Sequence, residues 1–219
     1  MKFEILAATA LLIAIGFTSP VKAENPADVK QLLETKSCSG CDLTGAQLSG
    51  MDLSGADLSG ANLSKANLIG TNLNEAKLNQ ANLNHAKLAG ASLIAARMHG
   101  ANLEQADLSR ANLNLAGMVI ANLKNANLSS SNLIGANLES ANLTGANLKN
   151  VRQSLLNLVN VTLRGGSLSG MDMLGVNLRD ANLTGANLTG ANLVGSDLTG
   201  ANLRNANMAN VELKNAALP

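Results

Sequence analysis

The chain has 219 residues, carries 16 Lys and Arg against 15 Asp and Glu, and is 1% aromatic. Both aromatic residues, Phe3 and Phe17, lie near the N-terminus, so the rest has no ring on which a base or sugar could stack and no cage for an organic cation. A charge this close to zero makes neither a nucleic acid nor an anionic membrane surface an evident partner.

Residues 1–23 read as a secretory signal peptide. Lys2 gives a short positive start, Ile5 to Phe17 form an apolar run of 13 residues, and Val21-Lys22-Ala23 puts small residues at the third and first positions before a cut. The run is too short to span a bilayer comfortably, although an uncleaved anchor is the alternative. Cleavage after Ala23 removes Lys2, Lys22 and Glu4 and leaves 196 residues with 14 charges of each sign. No stable membrane insertion is expected after that cut.

Residues 24–40 read as a capping helix and a linker. Asn25 can cap a helix that has Pro26 at its first position. Val29, Leu32 and Leu33 then share one apolar face, so a helix over 26–36 is expected to lie across whatever follows it. Cys38 and Cys41 come next. In an exported chain two cysteines favour a disulfide. The alternatives lack support: Asp42 stands where haem attachment needs His, and no further Cys or paired His completes a zinc site. A thioredoxin-like motif would need a βαβ context.

From residue 41 to 219 one period governs the chain. Stepping by five from Leu43 to Leu218 gives 36 positions, of which 31 are Leu, four are Met (Met98, Met118, Met173, Met208) and one is Gln153. We call this position i. At i−2 Ala occurs 24 times, and at i−1 Asn or Asp occurs 25 times. A period of five matches neither a helix face nor a simple alternating strand. It can close as four units per 20-residue coil, with i and i−2 pointing inward as in a strand. Gly at i+2, found 16 times, suits a corner with positive φ. Coils stacked at about 4.8 Å would make a rod of roughly 43 Å from about nine coils. The fold class expected is an all-β solenoid.

Units such as Ala141-Asn142-Leu143-Thr144-Gly145 resemble the A-(D/N)-L-x-x motif of the pentapeptide-repeat family. The resemblance covers residues 41–219 in one unbroken register. It implies the family's right-handed quadrilateral β-helix, here with an N-terminal capping α-helix. The stretch from Leu32-Leu33 through Cys38, Cys41 and Asp42-Leu43 also resembles the start of exported cyanobacterial members. That implies the periplasm or the thylakoid lumen.

The chain offers little chemistry. His85 falls at a corner and His99 on another face, so they form no constellation with a nucleophile. The Asp residues at i−1 are ordinary outward positions of the repeat. No catalytic residue, cofactor or metal is expected. Sorting outward residues by face isolates an apolar stripe: Ile94, Leu115, Ile134, Leu155, Leu174 and Val194 around the Leu53 face, with Val119, Ile120 and Val159 on the adjoining Leu58 face. It reads either as a docking surface or as side chains packing against one another along the stack. The last coil carries Leu203, Met208, Leu213 and Leu218 with no covering segment, a candidate end-to-end interface for a weak homodimer.

Gln153 stands inward between Leu133 and Met173, while Val151, Leu156 and Val161 replace Ala nearby. Either a bulge turns it outward or its amide is buried and satisfied by backbone. The resulting reading is an exported, non-enzymatic scaffold for an unknown protein partner or for self-association. The family resemblance offers one alternative, a DNA-mimicking, topoisomerase-protecting protein, which needs an acidic surface and a cytoplasmic location. An ice-binding solenoid would need regular Thr columns, and outward Thr is sporadic.

Overall fold

A computed structural model describes residues 25–153 and 156–219. The signal peptide expected over 1–23 and the stripe residue Leu155 lie outside the described residues.

From Ser37 to Asp197 all units but that of Arg152 form a parallel bridge at i−1 with the residue 20 positions on, so Asn62, Asn82, Asn102, Asn122 and Asn142 run up one face. Four units complete a turn, and the coil is four-sided. The ladder works from both sides of each bridge. Leu103 N–H donates to Asn122 O at 2.7 Å, and Asn122 N–H donates to Ala101 O at 2.9 Å. The corners are four-residue turns: Ala106 N–H donates to Leu103 O at 3.0 Å, with φ of 58° at Gln105 between them. Gly is therefore convenient at the corner but not required. Lys65, His85, Asn125 and Ile120 all adopt positive φ there.

Leu at i and Ala at i−2 are buried and form one continuous core through the rod. Each buried Leu contributes roughly 1.5–3 kcal/mol relative to exposure. The alternation of a large and a small residue lets successive sides meet without a void.

The helix α1 spans Pro26–Thr35. The Asn25 side chain accepts from Ala27 N–H at 3.1 Å, and Lys36 closes the other end at φ 53° with its N–H on Leu32 O. Leu32 is fully buried and Val29 packs against the core. Leu33, expected on the same face, is instead 42% exposed. The polar anchors explain this. Asp28 Oδ2 accepts Asp42 N–H at 2.8 Å, Gln31 Nε2 donates to Ser37 O at 2.8 Å, and Asn25 N–H donates to Asp42 O at 3.4 Å. Residues 28, 31, 32 and 35 thus face the coil, and Leu33 falls outside that arc. The helix covers the apolar floor and satisfies open backbone groups of the first coil together.

The segment expected as a linker over 37–40 is itself part of the ladder. Ser37 bridges Asp57, and Cys38 N–H donates to Asp57 O at 2.7 Å. Cys38 occupies the Leu position and Cys41 the Ala position of their units. Both are buried and joined by a disulfide with Cα atoms 5.2 Å apart.

Two places depart from regularity. In the coil containing Gln153, Val151, Leu156 and Val161 are buried at i−2, and Met171 and Val176 continue the columns of Val151 and Leu156 one coil on. Overfilled columns push the chain outward. Arg152 bridges Asn132 but not Asp172, and Gln153 is only half-buried. Its Oε1 is nonetheless buried with no hydrogen-bond partner among the described residues. Neither expectation for Gln153 is fully met. At the other departure, the final coil, Leu203, Met208 and Leu213 are half-buried and Leu218 is 57% exposed.

Candidate docking surface

The outward residues fall into columns along the rod. The Asn columns are structural. Asn142 Oδ1 accepts Thr144 N–H at 3.1 Å, an Asx turn that steers the chain into the corner. Along the column, Asn82 Nδ2 donates to Asn62 Oδ1 at 3.1 Å, and Asn122 Nδ2 donates to Asn102 Oδ1 at 3.0 Å. This explains the Asn preference at i−1, which the sequence reading assigned merely to outward orientation.

Carboxylates in the same position do the same work. The Ser59 hydroxyl and N–H, joined by the Lys77 ammonium at 3.2 Å, hold the Asp57 carboxyl below its ordinary value. Thr199 does the same for Asp197. Hydrogen bonds to the charged form lower a carboxyl pKa, the opposite of preparing a proton donor at neutral pH. His85 and His99 stand on different faces, and among the described residues no group of three His, Cys, Asp or Glu is placed to hold a metal ion. No helix among the described residues is long and apolar enough to cross a membrane.

The apolar stripe divides by exposure. Ile94, Val119, Ile134, Val159 and Val194 are half-buried against their column neighbours. Leu115, Ile120 and Leu174 stand out, at 61%, 53% and 61% exposed. Leu115 and Ile120 flank one unit, 116–120, at its two corners. Their backbones are in the left-handed region, at φ 58° and 53°. For a β-branched residue such as Ile120 that conformation is a real outlier, and exposure returns nothing for it.

Between these corners lies Gly117. It is the one glycine at i−1 anywhere from Ser37 to Ala217. A Cβ there would meet nothing within 4 Å, so the coil does not demand glycine. Gly in an otherwise occupied column marks a place where another backbone can approach closely. The sequence reading missed Gly117. Its signal was the break in the Asn/Asp column, hidden because a search for large apolar residues passes over glycine.

The pentapeptide-repeat pattern matches the chain in eight copies across residues 41–80, 76–114, 121–152, 157–194 and 181–218. The segments 115–120 and 153–156 fall outside the matches, and these hold the Leu115–Ile120 unit and the Gln153 irregularity. Among solved structures, HetL of the cyanobacterium Nostoc sp. strain PCC 7120, a pentapeptide repeat protein involved in heterocyst differentiation regulation, is 35% identical over 84% of this chain and 85% of its own, with a TM-score of 0.75. QnrB1, a plasmid-mediated fluoroquinolone resistance protein, aligns over 75% of this chain and 85% of its own at 22% identity and a TM-score of 0.54, a likeness of fold. A pentapeptide repeat protein of the Arabidopsis thaliana thylakoid lumen is 34% identical over 53% of this chain and 71% of its own, with a TM-score of 0.22. No curated protein matches the chain.

Proposed function

The chain belongs to the pentapeptide-repeat family and has its right-handed quadrilateral β-helix, and on that premise we propose that it is an exported, non-enzymatic scaffold that docks a protein through the Leu115–Ile120 face. The observation that carries the reading is the pair of exposed apolar corners, Leu115 and Ile120, set around the bare Gly117 backbone. Isolated exposed apolar residues are ordinary; a concentrated set on a face otherwise lined by polar and charged residues, among them Asp57, Lys77, Arg97 and Glu139, marks an interaction site. Export rests on the signal-peptide pattern of residues 1–23, and it places the work in the periplasm or the thylakoid lumen.

Asn at both corners keeps a residue that accepts positive φ, so Leu115→Asn with Ile120→Asn removes the apolar surface while leaving the coil intact. The double variant should lose the partners that the parent captures from the extracytoplasmic compartment, with an unchanged melting temperature. Equal capture by both proteins would refute the face. The alternative, a DNA-mimicking topoisomerase protector, needs rows of carboxylates; the columns here run largely Asn on Asn, with neutral overall balance.

At the open end of the rod, Leu203, Met208, Leu213 and Leu218 form a second, weaker contact surface. The N–H groups of Leu203, Met208 and Leu213 have no ladder acceptor among the described residues, and Leu218 is 57% exposed. An open ladder edge invites another chain to stack on it.

A further inference from the structure

We propose that the rod carries a hinge at the rung between Arg152 and Asp172, which opens and closes reversibly and so bends or straightens the Leu53 face. It does not depend on the docking assigned to Leu115 and Ile120.

The rung is open in a ladder that is closed just below and just above it. Below, Leu133 N–H donates to Arg152 O at 2.7 Å and Arg152 N–H to Ser131 O at 2.9 Å. Above, Met173 N–H donates to Asn192 O at 2.7 Å and Asn192 N–H to Met171 O at 2.8 Å. Between them the repeat calls for Gln153 N–H on Asp172 O and Asp172 N–H on Val151 O, and neither bond forms. On the next face along, the Leu58 face, one bond of the two is kept. Leu158 N–H reaches Asn177 O at 3.2 Å, while Asn177 N–H has no backbone acceptor among the described residues. On the preceding Leu48 face both are kept: Leu148 N–H donates to Ser167 O and Ser167 N–H to Ala146 O, each at 3.0 Å. The two coils are pinned on the Leu48 side and parted on the Leu53 side, which bends the rod away from the Leu53 face.

The cause lies in the i−2 columns. Val151 and Met171 are buried one directly above the other, as are Leu156 and Val176. Val161 is also buried at i−2, but its column neighbours are Ala141 and Ala181, and its rung is whole. There Asn182 N–H donates to Val161 O and Leu163 N–H to Asn182 O, both at 2.8 Å. One large residue between alanines is accommodated; two large residues in succession are not. On the pinned side stands Gly166, the one glycine at i−2 between residues 41 and 216. A Cβ there would lie 3.1 Å from Leu163 O and 3.6 Å from Ala146 O of the coil below, so the side that holds is the side with least filling.

The open rung leaves bonding capacity unused. Arg152 and Asp172 carry opposite charges one coil apart in one column. Asp57 and Lys77 are placed in the same way and pair at 3.2 Å. Among the described residues Arg152 and Asp172 belong to no ion pair. Closing the rung makes that pair and two backbone hydrogen bonds, and it presses Val151 against Met171. Two hydrogen bonds with one exposed ion pair are comparable in size to the cost of one overpacked core contact. Neither arrangement wins by a wide margin, so both are populated. Leu174 stands just above the rung and Leu115 below it, both exposed, and the hinge sets the angle between them.

Hydrogen exchange of the mature protein tests the hinge. Val151→Ala with Met171→Ala removes the overfilling and should slow exchange at the amides of Gln153 and Asp172 by about tenfold, with the rungs below and above unchanged. In the parent, protection at these two amides should fall about threefold between low and molar salt, because screening weakens the Arg152–Asp172 pair. Arg152→Gln should abolish that fall. A second measurement traps the closed rung. Strands in a closed ladder lie about 4.8 Å apart, within the span of a disulfide. Arg152→Cys with Asp172→Cys should therefore oxidise to a disulfide, several-fold more slowly than Asn177→Cys with Asp197→Cys on a rung that is already closed. A 152–172 pair that never bonds while the control does means that the rung does not close. A pair that bonds as fast as the control means that it is not open. Either result overturns the hinge, as does unchanged exchange in the Val151→Ala, Met171→Ala variant. A salt dependence that survives Arg152→Gln overturns the role of the ion pair.

Discussion

The Leu115 side chain lies across Gly135 of the next coil, so closely that a Cβ built at 135 would come within 2.7 Å of Leu115 Cδ2. Gly135 is also at φ 67°. Its lack of a side chain therefore serves two ends, the turn and the seating of Leu115. Gly135→Ala should cost about 1–2 kcal/mol, from the left-handed backbone and the displaced leucine together. Leu115→Ala in the same chain should recover part of that loss, and a double-mutant cycle by chemical denaturation measures the coupling. Strict additivity would show that the two residues do not touch in solution.

Gln153 leaves a buried oxygen without a hydrogen-bond partner among the described residues. An unsatisfied buried acceptor costs on the order of 1–3 kcal/mol. Gln153→Leu should be neutral or stabilising, because Leu is the residue of 31 of the 36 equivalent positions. A melting temperature lower by several degrees would mean that the amide makes bonds the coil needs.

The disulfide between Cys38 and Cys41 replaces a Leu–Ala pair in the first coil, beneath α1. Intact mass under non-reducing conditions should fall two hydrogens short of the dithiol. Reduction should loosen α1 and the first coil while leaving central amides protected from exchange, because a solenoid unravels from its ends. Two freely alkylated thiols in protein from an oxidising compartment would remove the bond from the native state.

The open coil makes a separate prediction. Leu213→Lys with Leu218→Lys places charge on the uncovered end without touching the Gly117 face. The parent should self-associate at high concentration and this variant should not, as sedimentation measures. Equal behaviour of the two proteins would leave the end without a pairing role.

The sequence by itself determined the coil. Leu at i and Ala at i−2, recurring every five residues, put both on the inner side of a stacked coil, and the ladder then follows from backbone geometry; the four-sided section and its right hand came with the family resemblance. It also placed α1, through the Asn25 cap and Pro26, because capping acts over a few neighbouring residues. Tertiary structure decided the rest, where contacts join residues 6 to 20 apart. Leu33 turned outward because Asp28 and Gln31 bind the coil edge. The linker became a rung because Ser37 could reach Asp57. Of the eight described residues of the apolar stripe, Ile94, Val119, Ile134, Val159 and Val194 were sheltered by neighbours one coil away, and Leu115, Ile120 and Leu174 were left standing. Exposure depends on what lies above and below in the stack, and a list of residue types in chain order does not contain it.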